Sequence, residues 1–422
     1  MSGYCDTVVI TGLGAVSPLG ADAQSTWKAM LTGQSAAAAL TEPWAEPLPV
    51  RIAARVRDEP VAGLTRAEAR RVDRSGRFAL AAALEAWADA GFAGPAEPGG
   101  APDADRVAAV LGSSLGGAAS LIAAHEALRE RGARHVSPYT IPMTMPNGPA
   151  GLVGMKLGAR AAVACPVSAC ATGAESIAEG LELIRRGRAD VVAAGGAEAA
   201  VTPVIIAGFA AMQAMSRRND DPERASRPFD RDRDGFVIAE GASVLILESA
   251  EHAARRGARV YCELAGAGVS ADAFHMTAPE PAGRGMAQAL RRALQDARTD
   301  PAGVVHVGAH ATSTPQGDLA ESLAIRGVLG ERGYCVSATK STTGHLLGAA
   351  GALAAAATVL MLHERTAPPT ANLDALAPEI ALDVVGAEPR PLPRGPAAAL
   401  SDAAGFGGHN VVLAFRDPPI RR

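Results

Sequence analysis

A cysteine that attacks a carbonyl must first part with its proton, and Cys170 stands where that would be favoured. It closes the string VSAC and is followed by ATGAESIAEGLELI, in which Ala174, Ile177, Leu181 and Ile184 fall on one face of a helix. The pattern predicts a strand over Val167–Ala169 that runs into a helix N-terminus at the thiol. Unpaired backbone N–H groups and the positive end of the helix dipole gather there, and both favour the nucleophilic thiolate. Nucleophile elbows on other folds use this strand–turn–helix context. The five cysteines are scattered and form no CxxC, so neither a disulfide framework nor a zinc site is expected. Cys165, Cys262 and Cys335 read as structural thiols.

Such a nucleophile needs partners for proton transfer and charge stabilisation. His310 follows the apolar stretch VVHVGA and opens HATSTPQGD, while His345 follows KSTTG. Each is expected at the end of a strand or the start of the next helix, where open α/β sheets place ligands. Together with Cys170 they form a candidate Cys–His–His constellation. His125, His135, His252 and His363 lie in helical or polar stretches and read as structural or surface residues.

The elements that must carry these residues alternate between strand and helix. A strand at Thr7–Ile10 is followed by TGLG, read as a turn, and by a helix near Ala23–Leu31. Ser35–Pro60 reads as loop and Thr65–Ala90 as helix. Val107–Leu111 reads as a strand entering the turn GSSLGG. An internal repeat is visible: VSAC at Val167 and VSAT at Val336 lie 169 residues apart, and Gly235 and Gly405, each before Phe and a strand, lie 170 apart. Two similar halves are expected, 1–254 and 255–422.

The chain has 422 residues, ample for a large core, and its net charge of −4 argues against a broad nucleic-acid surface. The N-terminus shows no secretion signal. The apolar run Leu346–Leu362 is short for a membrane span and reads as a buried helix. A cytoplasmic protein is expected, without membrane or nucleic-acid partners.

VSACATGAESI, AHATSTPQGDLAE, KSTTGHLLGAAGA, SRPFDRDRDGFVIAEGA and GFGGHN together give the chain its resemblance to the β-ketoacyl-acyl carrier protein synthases, from VVITGLGAVSPLG to VVLAF. The resemblance implies the thiolase fold: two βαβαβαββ halves in five αβαβα layers. It implies decarboxylative Claisen condensation of a Cys170-bound acyl group with malonyl-acyl carrier protein, giving 3-oxoacyl-acyl carrier protein in type II fatty acid or polyketide synthesis. His310 and His345 would stabilise the enolate left by decarboxylation. The N–H groups of Cys170 and Phe406 would form a second oxyanion hole. Lys340 and Glu321 match a buried supporting pair. Thr312 and Thr314 match positions that bind the phosphopantetheine arm. That arm belongs to the carrier protein, so no bound cofactor and no metal is implied.

By the same resemblance, Phe406 is a gate to the acyl pocket, with Gly407 beside it and Asp272 in the facing loop, and Leu115 limits chain length. Arg66, Arg70, Arg71 and Arg218 match a docking region for the acidic carrier, with Arg66 and Arg70 expected on one helix face. A homodimer is implied, or a heterodimer with a chain-length factor. Ser137–Gly151, apolar without helical period, matches the interface. One departure stands out: the gate segment reads Ala403-Ala404-Gly405-Phe406, with Ala404 where the family commonly has a second Phe. The space of the missing ring is either refilled by neighbouring side chains, with ordinary specificity, or left open as an acyl pocket wider near its mouth. Two other readings are a non-catalytic chain-length-factor-like subunit, against which Cys170, His310 and His345 weigh, and a degradative thiolase, for which GFGGHN lacks a second cysteine.

Overall fold

Glycines at alternate positions of a strand let a helix lie directly on its backbone, and this chain uses the device twice. In the computed structural model, which describes residues 7–60, 63–331 and 333–419, strand β1 runs without a break over Val8–Val16. TGLG is therefore part of the strand, not a turn, with a bulge between Ile10 and Gly12. A Cβ on Gly12 would stand 2.1 Å from Ala86 O, and one on Gly14 1.9 Å from Ala82 O. Both oxygens belong to helix α1, Arg74–Asp89. Gly266 and Gly268 play the same part in the second half, beneath the helix Arg284–Asp296.

The remaining strands of the large sheet are β2 (Val107–Gly112), β3 (Ala162–Ala164), β4 (Val191–Glu198), β5 (Gly241–Ser249), β6 (Cys262–Ala271), β7 (Val304–Gly308), β8 (Cys335–Ser337), β9 (Ala398–Gly405) and β10 (His409–Arg416). Their order is β3-β2-β4-β5-β1-β6-β10-β9-β7-β8. Read outward from the β1–β6 contact, both halves have the same order and the same pattern of parallel and antiparallel pairs. The repeat seen in two short strings is thus a repeat of topology.

Two helices occupy the middle. Helix α2, Thr172–Arg185, packs on β2 and β4. Helix α3, Arg284–Asp296, lies outside and packs on β6 and β10. Helix α4, Ala350–Glu364, packs on β5 and β9 and against α2. With α1 and α3 outside, the layers run helix, half-sheet, helix pair, half-sheet, helix: the thiolase arrangement. Helix α4 is buried along nearly its whole length, which accounts for the apolar run at Leu346–Leu362. Its N-terminus meets that of α2 closely. A Cβ on Gly173 would lie 2.8 Å from Ala352 N, and one on Gly351 2.8 Å from Ala174 N.

Several expectations need correction. The helix expected over Thr65–Ala90 is broken: a single turn, Arg66–Ala69, ends with Arg70 as its C-cap, and Asp73 then caps α1 by accepting from Ser75 N. Val167–Ala169 is not a strand. Pairing ends at Ala164, and Pro166, which has no N–H to offer a ladder, lies in the segment that leaves the sheet. Ser137–Gly151 is not aperiodic chain, for it contains the helix Thr140–Thr144 and the start of another at Gly148–Leu157. Ser35–Pro60 is loop apart from the short strand pair Ala38–Ala39 and Ile52–Ala53 and a 3-10 turn at Pro43–Ala45. Cys5 lies outside the described residues.

Gly351→Val tests the central contact. Overpacking at a backbone-to-backbone approach should cost about 1–3 kcal/mol. The expected outcome is a lower thermal midpoint together with lost activity, whereas Gly327→Val, at a helix position with open space around it, should show neither through crowding.

Candidate active site

The turn that presents the nucleophile is strained. Ala169 takes φ 51°, a left-handed value that costs a residue with a Cβ. Ser168 N–H donates to Thr172 Oγ1 at 2.9 Å, tying the turn to the start of α2. Cys170 sits in the short 3-10 turn Ala169–Ala171, so the helix begins just past it. Strand β9 ends against the same turn. A Cβ on Gly405 would be 2.3 Å from Ser168 O and 3.2 Å from Cys170 N. Only a glycine permits this approach, and it sets the N–H of Phe406 beside the sulfur, where it and the N–H of Cys170 both favour the thiolate.

They do not prevail. Burial pushes the Cys170 thiol up to about 12, the Lys340 charge opposes that rise, and the Glu198 carboxylate adds to it. Desolvation thus opposes the thiolate that the helix start and the N–H groups favour, and the half-buried sulfur is harder to ionise than a thiol in water.

His345 is reached from another direction. It pairs with Ile238 in an isolated bridge, its N–H donating to Val237 O at 2.8 Å, and is not the first residue of a helix. A 3-10 turn at Leu347–Ala349 separates it from α4. Its ring stands edge-to-face with Phe236 at 5.3 Å and with His310 at 5.5 Å. Burial, and then the Lys340 charge, hold both imidazoles well below their usual range, so they are neutral at neutral pH. Nδ1 of each is buried and meets no partner among the described residues.

The peptide of His310 is gripped from both ends. Glu321 Oε1 accepts from His310 N at 2.6 Å and Oε2 from Ala311 N at 2.7 Å, while Lys340 Nζ donates to His310 O. Both side chains are buried. Burial drives the carboxyl up and the ammonium down, and their attraction resists each shift. The loop beyond is fixed in the same manner. Ser313 takes φ 69°, its N–H donates to Asp318 Oδ1 at 3.1 Å, and its hydroxyl accepts from Arg227 N at 3.0 Å. Thr312 and Thr314 hydroxyls lie 3.0 Å apart.

These groups share one cleft of about 480 Å³, lined by Cys170, His310, His345, Thr312, Thr314 and Phe406. Asp272 closes one side. Its N–H donates to Gly408 O at 2.9 Å, and its carboxylate accepts from Asn410 Nδ2 at 2.7 Å and Glu280 N at 3.0 Å. Gly407, at φ 88°, donates to Met276 O at 2.7 Å, joining the Phe406 loop to the facing one. Ala404 borders both this cleft and a cavity of about 50 Å³ beside His310 and Met286.

Other expected residues lie elsewhere. Leu115 is exposed and does not line the cleft. Its loop is held by Glu198, which accepts from Ser113 Oγ at 2.8 Å, Ser114 N at 2.9 Å and Gly348 N at 3.1 Å. Arg66, Arg70 and Arg71 are exposed, with Arg71 stacked 5.0 Å over the Tyr139 ring. Arg70 is the C-cap of the single turn that Arg66 opens, four residues on and still in the helical conformation. Arg218 donates to Asp232 O at 2.6 Å and faces Asp234, a residue of the cleft wall. Glu198, Asp402 and Phe236 were not singled out from the sequence. A carboxylate ending an all-apolar strand, as in VVAAGGAE, was the available signal for Glu198.

The Beta-ketoacyl synthase N-terminal domain model matches residues 6–253 and the C-terminal domain model residues 261–374. The chain belongs to the beta-ketoacyl synthase family. A 3-oxoacyl-[acyl-carrier-protein] synthase 2 of Mycobacterium tuberculosis is 44% identical over 413 residues, 97% of this chain and 96% of that one. Among solved structures, a type II polyketide acyl-carrier protein in complex with its ketosynthase bound to the hexaketide aligns with a TM-score of 0.87 at 32% identity, covering 98% of this chain and 100% of that chain. The ishigamide ketosynthase/chain length factor aligns with a TM-score of 0.88 at 31% identity, covering 98% and 99%. The chain is thus an acyl-transferring ketosynthase.

The state of the synthase thiol has a kinetic signature. Because the thiolate fraction is far from saturation, alkylation of Cys170 should rise about tenfold per pH unit from pH 7 to 9 without levelling. Mass spectrometry of the Cys170 peptide after timed exposure to iodoacetamide checks this. A plateau within that range would mean an ordinary or activated thiol.

Proposed function

We propose that this synthase joins an acyl group held on Cys170 to the malonyl unit of an acyl carrier protein, with loss of carbon dioxide. The observation that carries the reading is the convergence, in one cleft, of the Cys170 sulfur with two backbone N–H groups and two neutral imidazoles. In the first half-reaction the sulfur attacks the carrier thioester, the new S–C bond forms, and the displaced carrier thiolate takes the proton. The N–H groups of Cys170 and Phe406 hold the oxyanion between these steps. In the second, the malonyl C–C bond to the carboxylate breaks and carbon dioxide leaves. The electron pair moves onto the thioester oxygen, which the His310 and His345 N–H groups receive. The enolate carbon then attacks the acyl carbon, and Cys170 leaves as a thiolate that takes up a proton. Neutral donors suit this, because they meet charge that exists only after the bond breaks.

Residues 1–254 supply the nucleophile and 255–422 the two histidines. Thr312 and Thr314 receive the phosphopantetheine arm on the way to the sulfur, and Asp272 with Gly407 holds the Phe406 gate. The opening beside Ala404 favours bulkier or stiffer chains, and so a type II polyketide or polyene line over ordinary fatty acids. The synthase works as a dimer, either with itself or with a chain-length factor. Tyr139, Ile141, Met145 and Met155 support this, as large apolar side chains left exposed on the single chain together with Val163 on the edge strand β3. Leu115 acquires its role as a pocket floor only when that face is covered.

Incubation with an acyl carrier substrate should leave an acyl mass on the Cys170 peptide. Cys170→Ala should lose both the adduct and condensation while keeping its thermal midpoint, and an adduct surviving in that variant would place the nucleophile elsewhere. For the carrier, Arg70→Glu with Arg71→Glu should raise KM for carrier-bound substrate, more so at low salt, and leave a small thioester substrate unaffected. An equal effect on both substrates would reject this docking surface.

A further inference from the structure

We propose that Asp402, which no step above employs, carries the proton that keeps the buried cluster behind His310 electrically neutral. The inference rests on the condensing reaction proposed above and concerns how its decarboxylation half is tuned.

Three ionisable side chains lie together and out of water: Lys340, Glu321 and Asp402 are 3%, 6% and 0% exposed. The charges of Glu321 and Lys340 both act on Asp402. One cation therefore faces two carboxyl groups. The next carboxylate, Asp318, lies 3.7 Å from Arg233, which also pairs with the more exposed Glu379 at 3.1 Å, and it accepts from Phe229 N and Ser313 N, so it adds no cation to the cluster. The other titratable groups on the elements packed about strand β9 leave this count unchanged. The Cys170 thiol and the His306 imidazole are held neutral by burial. His409 and Arg416 stand at the two ends of β10, with Arg416 paired to Glu263 at 2.7 Å. Glu175 lies in the first turn of α2, while His363 and Glu364 lie in the last turn of α4, far from its contact with the site. A fully ionised cluster would leave an unmatched negative charge in the core, which proteins avoid by holding a proton.

The hydrogen bonds say which carboxyl holds it. Glu321 accepts two backbone N–H groups, at 2.6 and 2.7 Å, and these favour its ionised form. Neither oxygen of Asp402 meets a donor among the described residues. Lys340 Nζ donates to His310 O, and none of its N–H groups reaches an Asp402 oxygen. Asp402 is therefore the carboxylic acid, and Glu321 the carboxylate that pairs electrostatically with Lys340. Asp402 acts as a positioning residue through that pair. The enolate develops on the far side of the His310 ring, and a second negative charge behind the ring would oppose it. Loss of the Asp402 proton at alkaline pH thus slows decarboxylation.

Asp402→Asn gives a neutral side chain of the same shape and a direction that separates the alternatives. If Asp402 is protonated, the variant cannot lose that proton, and the alkaline limb of its malonyl-carrier decarboxylation profile moves to higher pH; a limb that does not move overturns the proposal. If Asp402 were instead an ionised partner of Lys340, the amide would remove a negative charge, the ammonium would lose its proton more readily, and the limb would move to lower pH, overturning the proposal. A second measurement does not depend on the reaction. The infrared difference spectrum of the parent minus Asp402→Asn should contain the C=O stretch of a protonated carboxyl, shifted in heavy water, and its absence overturns the proposal even if condensation is confirmed. Asp402→Ala serves both measurements should the amide fail to fold.

Discussion

The site depends on the approach of two helix starts across a gap that admits no side chain. Gly173 lies one turn beyond Cys170, and Gly351 lies six residues after His345. Each helix can come close only because the other offers backbone where it arrives. The sulfur is therefore positioned by α2, while His345 is positioned by the segment that leads into α4. Their separation is set by the packing of the middle layer, the least deformable part of the molecule, rather than by the loops around the cleft. Gly196 and Gly348 extend the same close contact, since a Cβ on Gly196 would stand 2.6 Å from Gly348 O.

Around this fixed centre the chain handles charge by removing it. The thiol, the two imidazoles and the gate backbone are all neutral at rest, and the charged groups nearby grip peptide, not substrate. The reaction must create an anion at two different oxygens in succession. A site of neutral, oriented donors can meet each in turn without holding the substrate's own carboxylate too tightly. The cost lies in the nucleophile, whose thiol is harder to ionise than one in water.

Much of this was legible from residue types at fixed spacing. The motifs around Cys170, His310 and His345 located the three groups, and the two repeated strings foretold a sheet built twice. What could not be read came from contacts distant in sequence. TGLG has the composition of a turn, yet Gly12 and Gly14 are there because Ala82 and Ala86 press on them from α1. At Cys170 the local features that favour the thiolate, a helix start and free N–H groups, are visible in the sequence, whereas the desolvation that opposes them is a tertiary effect. Glu321 and Lys340 were placed as a pair, but their hold on the two ends of the His310 peptide is a tertiary fact. One carboxylate within an alanine-rich string, as at Asp402, gives no sign that it faces another.

The two halves also differ where their topology agrees. By the repeat, the residue that corresponds to Cys170 is Thr339, the N-cap residue of the short helix that begins with Lys340. Two copies of the same turn need only one reactive sulfur. The second copy carries none, and the helix start beside it supplies the lysine that steadies His310. A symmetric frame thus holds an asymmetric division of labour, attack at one turn and support at the other.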